Sequence, residues 1–82
     1  MRWTTESLEA EIRRRGGTVT LVGSVSAEDA ARALGSTVRA MERWRGEGIG
    51  PPSHTSNGKA TGRRYYYLAD LAAHLNQAER AA

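Results

Sequence analysis

The chain has 82 residues, no cysteine, two tryptophans, three tyrosines and no phenylalanine. That is a single small domain, hiding only about 60–65% of its unfolded surface, so the core must be thin and every large apolar side chain matters. The absence of cysteine excludes a disulfide framework and a thiolate zinc site, and no apolar run approaches the roughly 18 residues that cross a membrane.

The net charge of +3 is concentrated rather than spread. Residues 1–35 hold five basic and five acidic side chains. Residues 36–67 set six basic ones (Arg39, Arg43, Arg45, Lys59, Arg63, Arg64) against Glu42 and Glu47, a local +4, and residues 68–82 set one against two, or −1. A polyanion is the natural partner of such a patch, and nucleic acid is the commonest. Arg13–Arg15 followed by "GGTVTLVGSVSA" has some look of a secretory leader. The apolar run is short, is interrupted by Thr18, Thr20 and Ser24, and follows acids, so the chain is read as cytoplasmic.

In chain order, residues 4–15 read as a helix capped by Thr4, with Trp3 and Leu8 placed as a hydrophobic staple and Gly16 or Gly17 at its end. Leu8 and Ile12 form its apolar stripe, and Glu9–Arg13 and Glu11–Arg15 are spaced to pair across one turn. "TVTLV", Thr18 to Val22, is β-branched and alternating, and reads as a short strand. Ser26 opens a second helix with Glu28 and Asp29 in its first turn, Ala30, Ala31 and Leu34 on its inner face, and Gly35 as its stop. Thr37 caps a third helix reaching about Arg45, so a sharp helix-turn-helix corner is expected. After Pro51 the period changes to that of two strands around a polar tip, Asn57 to Gly62. A last helix runs from Asp70 to about Glu79, with Leu71 and Leu75 one turn apart, Leu68 just before it, and a frayed end at 80–82.

The order helix, strand, helix, helix, strand, strand, helix is that of an α+β winged helix-turn-helix domain, with 18–22 joining the hairpin as a third strand in a small antiparallel sheet. On the third helix Met41 and Trp44 share an apolar side with Val38 or Ala40, while Arg39, Glu42 and Arg43 lie opposite. That division, one side to dock and one to show, suits a recognition helix whose arginines reach base edges or phosphates. Gly46 or Gly48 can end the helix in a left-handed cap, Ile49 can fold back on Trp44, and Pro51-Pro52 start an extended segment.

"AARALGSTVRAMERWRGEGIGPP" followed by "RRYYYLADLAAHL" resembles the small winged-helix DNA-binding domains of the MerR superfamily, most nearly the phage and plasmid excisionases and related short regulators. The likeness spans about residues 25–76 and rests on Ala31, Leu34-Gly35, Arg43-Trp44, Gly48, Pro51-Pro52, Tyr66 and Asp70-Leu71. The pattern departs at Ser36-Thr37, at Tyr65 and Tyr67, where basic residues are common, and in an extension, residues 1–24, packed on the domain at 25–79. The resemblance implies that Arg39 and Arg43 enter the major groove, with Thr37 and Glu42 beside them. It further implies that Arg45, Lys59, Arg63 and Arg64 contact phosphates or the minor groove, and that Arg32 holds a phosphate.

The expected function is sequence-specific binding of double-stranded DNA in a phage or other mobile element, as an excisionase (recombination directionality factor) or a short transcription regulator. An integrase, or a second copy at an adjacent site, is the expected protein partner, with no membrane contact. Two alternatives stay open: a DNA-packaging factor like a small terminase subunit, and a winged-helix protein-interaction module that does not bind DNA. The tyrosines read as an aromatic strand with Tyr66 in the core rather than as a stacking platform for single strands. His54 and His74 have no carboxylates at ligand spacing, so no metal site and no cofactor is expected. "GEGIG" follows a helix and runs into proline, and no Gly-x-Ser-x-Gly elbow exists, so the chain is not expected to be an enzyme.

Overall fold

A computed structural model describes residues 2–55 and 63–81. The elements follow the order α1 (Thr5–Arg14), β1 (Ser24–Ser26), α2 (Ala27–Ala33), α3 (Val38–Gly46), β2 (His54–Thr55), β3 (Arg64–Tyr67) and α4 (Leu68–Ala81). This is the expected order of elements. The three strands form one antiparallel sheet, β1-β3-β2, with β3 in the middle.

α1 starts where its cap dictates. The Thr4 hydroxyl accepts from the Ser7 amide at 3.1 Å, and the Ser7 hydroxyl accepts from the Thr4 amide at 3.0 Å, so two otherwise orphaned donors are satisfied reciprocally. Both expected ion pairs form, Arg13–Glu9 and Arg15–Glu11, each at 2.9 Å. Leu8 and Ile12 are buried, and Trp3 packs on the same core. Asn76 of α4 holds the Trp3 backbone from both sides, its Oδ1 accepting from the Trp3 amide at 2.7 Å and its Nδ2 donating to the Trp3 carbonyl at 3.0 Å. The amino-terminal extension is thereby fastened to the last helix.

The first strand is not where the β-branched run places it. Residues 18–22 are not a strand, and β1 is Ser24–Ser26. Thr20 to Gly23 close a tight turn, the Gly23 amide donating to the Thr20 carbonyl at 3.0 Å, with Gly23 in the left-handed region at φ 78°. The Thr20 and Ser24 hydroxyls meet at 2.7 Å across its base. Leu21 and Val22 sit at the turn's apex, fully exposed and 73% exposed. Turn chemistry from Thr20, Gly23 and Ser24 therefore outweighs the β propensity of the run.

β1 pairs with β3 in the register Ser24–Tyr67, Val25–Tyr66 and Ser26–Tyr65. Alternation sends Val25 and Tyr66 together into the core. Ser26 ends the strand and caps α2, accepting from the Asp29 amide at 3.2 Å. Ala30 and Ala31 are buried as expected, whereas Leu34 is only half-buried. Leu68, Leu71 and Ala72 of α4 complete the core, and Leu71, with no exposed surface, contributes on the order of 1.5–3 kcal/mol by burial.

Candidate nucleic-acid interface

α3 begins at Thr37, whose hydroxyl accepts from the Ala40 amide at 3.1 Å. As the cap, this side chain is occupied within the helix, so its expected DNA contact is left to its exposed surface. The helix is amphipathic in the expected sense, with Met41 buried, Trp44 half-buried against the core, and Arg39, Glu42 and Arg43 exposed on the other side.

Its exit answers why glycines and prolines follow an Arg-Trp-Arg helix end. Gly48 takes φ 75°, the Gly48 amide donates to the Arg45 carbonyl at 3.2 Å, and the Ile49 amide donates to the Trp44 carbonyl at 2.8 Å. This is a Schellman closure, and Gly48 rather than Gly46 supplies its left-handed residue. The Ile49 backbone folds back as expected, but its side chain is 55% exposed and does not cover the indole. Gly50 does instead: a methyl group there would lie 3.2 Å from Trp44 Cβ and 3.3 Å from its Cε3. On its other side the indole faces His74 of α4, with ring centroids 6.2 Å apart. Trp44 thus fixes the angle of α3 by contacts with both the following loop and α4.

β3 sorts its side chains by alternation. Tyr66 faces the core, while Tyr65 and Tyr67 face outward and meet His54 of β2. His54 stacks on Tyr65 with centroids 5.5 Å apart and meets Tyr67 edge-on at 4.9 Å, so this cluster closes over β2. Hydrogen bonding to Tyr67, then desolvation, raises the pKa of Tyr65 above the ordinary tyrosine value.

Arg64 shares the Tyr66 side of the strand, and its Nη1 donates to the Ser53 hydroxyl at 3.0 Å. Between α3, β3 and the start of α2 lies a cleft of about 340 Å³. Arg45, Arg63 and Arg64 line it together with Glu28 and Glu42, three positive charges against two negative, a net +1. The structure therefore brings Arg45 of α3 next to Arg63 and Arg64 at the start of β3. Arg39 and Arg43 stand apart on the outermost side of α3, and Lys59 lies outside the described residues.

The arginines differ in how far their charge is already answered. On α1, Glu9 pairs with Arg13 and Glu11 with both Arg14 and Arg15, and the hydrogen bonds from Arg14 and Arg15 hold the Glu11 carboxyl below the usual range. Arg32, expected on a phosphate, pairs with Asp29 at 3.5 Å while staying 61% exposed. Arg43 is 3.8 Å from Glu47, a loose surface pair worth well under about 1 kcal/mol. Arg39, Arg45, Arg63 and Arg64 form no ion pair with any described residue.

Two members of the site carried no signal in the residue pattern. Ser53 was hidden behind Pro51-Pro52, and Glu28 read only as a favourable acid in a helix's first turn. Among the described residues no group of His, Asp or Glu is arranged to hold a metal ion, and no helix is long and apolar enough to cross a membrane. No family model, no curated protein and no solved structure matches the chain.

Proposed function

We propose that the chain is a winged helix-turn-helix protein that binds double-stranded DNA in a sequence-dependent manner and catalyses no reaction. α2 and α3 form the helix-turn-helix, α3 enters the major groove, and the β2–β3 hairpin is the wing. The observation that carries this reading is the asymmetry of charge: the arginines of α1 are paired with its own acids, while Arg45, Arg63 and Arg64 around one cleft, and Arg39 on the exposed side of α3, form no ion pair with any described residue. Arginines so placed add a salt-dependent grip on phosphates and, on the outer side of α3, forked bonds to guanine. The likeness of residues 25–76 to excisionases and short regulators favours a role in excision or transcription control on a mobile element, with an integrase or a second bound copy as partner.

Footprinting on the DNA around the protein's own gene tests this. A short protected site that survives excess random duplex is the expected result. Absence of protection at any position would instead favour a protein-interaction module, a reading to which the exposed Leu21–Val22 turn lends specific support.

A further inference from the structure

Among the charged side chains on the proposed DNA-facing surface, Glu42 has the wrong sign for a phosphate contact. It is exposed on α3, between the outermost pair Arg39 and Arg43 and the side of the helix that lines the cleft with Val38 and Arg45. Arg39 and Arg45 each lie three residues away, within reach of one turn, and Arg63 and Arg64 share the cleft. Yet no nitrogen of a described residue approaches the Glu42 carboxylate within ion-pair distance. Of the other acids nearby, Glu47 leans on Arg43 and Asp29 on Arg32, and Glu28 across the cleft is likewise unpaired among the described residues.

Resting on the DNA-binding reading above, we propose that Glu42 is a specificity residue whose carboxylate accepts a hydrogen bond from the exocyclic amino group of a cytosine in the major groove. The physical case is one of elimination by charge. When α3 enters a groove, this carboxylate leaves water and approaches two phosphate backbones that repel it. Guanine offers it only the O6 and N7 acceptors, and thymine offers O4 and a methyl group. Leaving an acceptor dry and unpaired is costly, more so when it is charged. Adenine couples its amino donor to the N7 acceptor on the same base edge, whereas cytosine presents only its amino donor there, so the cytosine amino group relieves the cost best. Glu42 therefore weakens binding almost everywhere and is tolerated at the right base, which is discrimination by penalty. The nearby arginines keep overall affinity high enough for the penalty to be selective.

Glu28 supplies the control. It lines the same cleft with the same charge but belongs to the first turn of α2, where the helix dipole favours it, and is not carried on the helix proposed to enter the groove. The experiment is a binding titration of the parent, Glu42→Gln, Glu42→Ala and Glu28→Gln against the footprinted site, its single-base variants and a random duplex, at one salt concentration. Both Glu42 variants are expected to bind random duplex more tightly and to lose about tenfold of the parent's preference at one cytosine position, within the range of a single base contact. Glu28→Gln is expected to change all sequences by one common factor. If the Glu42 variants also shift every sequence by a common factor, Glu42 is only a surface charge and the proposal falls while DNA binding stands. If the parent binds no duplex, the DNA-binding reading falls and takes the Glu42 role with it.

Discussion

Trp44 separates two accounts of α3, because a tryptophan between two arginines can be read as a packing residue or as a side chain aimed at a base. The indole lies half-buried against the core, with Gly50 against its Cβ and Cε3 and His74 beyond its ring. Truncating a fully buried tryptophan costs about 3–5 kcal/mol. Half-burial here brings Trp44→Ala to about 2–3 kcal/mol, since the solvent-facing part of the ring loses nothing and the flanking loop can settle. An ordinary stability of roughly 0.05–0.15 kcal/mol per residue makes that a large fraction of the total for a chain this small. At about 4–8 °C per kcal/mol, the midpoint of thermal unfolding falls by roughly 10–20 °C. Thermal unfolding followed by circular dichroism reads this, and Trp44→Phe should recover much of the loss. An unchanged midpoint together with lost DNA affinity would refute the packing role.

Arg39→Lys and Arg43→Lys should each relax preference at one or two base positions by about 1–3 kcal/mol while leaving random-duplex binding nearly intact, because lysine keeps the charge but not the fork; single-base-variant titrations decide it. Gly17→Ala should destabilise by about 1–3 kcal/mol, since a methyl group there would lie 2.7 Å from Ile12 Cγ2 and 3.0 Å from the Asp29 carboxyl where α1 and α2 approach, and a denaturant midpoint that does not move would contradict this contact. Tyr65 should ionise above the ordinary tyrosine range in an ultraviolet titration, and Tyr67→Phe should bring it back. Because its folded pKa is raised, the associated stability is present below the unfolded tyrosine value and fades as pH rises through the folded one. Loss of pairing at Glu11 works in the opposite direction: its carboxyl is lowered, so its contribution is present above the unfolded value and lost as pH falls through the folded one. The test is an acid titration in which Glu11→Gln flattens the low-pH decline.

Helices were legible because their signals are local. Thr4, Ser26 and Thr37 each act as the cap their position implied, and Gly16, Gly35 and Gly48 take the left-handed conformation just past the helix ends. The parity of Tyr65, Tyr66 and Tyr67 was equally plain from alternation. The first strand was not, because its place depends on a partner strand about forty residues away and on a turn that spends Leu21 and Val22 at its apex. For the candidate site, the charge pattern identified the arginines but not their grouping. That Arg45 joins Arg63 and Arg64 and that Asn76 ties down Trp3 are consequences of packing between distant segments, whereas the Arg32–Asp29 and Arg43–Glu47 pairs follow from one-turn spacing that the residue order already contains.

If the cleft grips phosphates, duplex binding must weaken with salt through Arg45, Arg63 and Arg64. Titrating a random duplex with the parent across a range of salt concentrations, and repeating with Arg45, Arg63 and Arg64 all changed to glutamine, reads the cleft as an electrostatic grip. Log affinity is expected to fall linearly with log salt in the parent. In the triple variant the slope should be shallower by about 0.9 for each phosphate contact removed, with the fold intact by circular dichroism. Equal slopes for a folded triple variant and its parent would contradict it, because the cleft would then hold no phosphate.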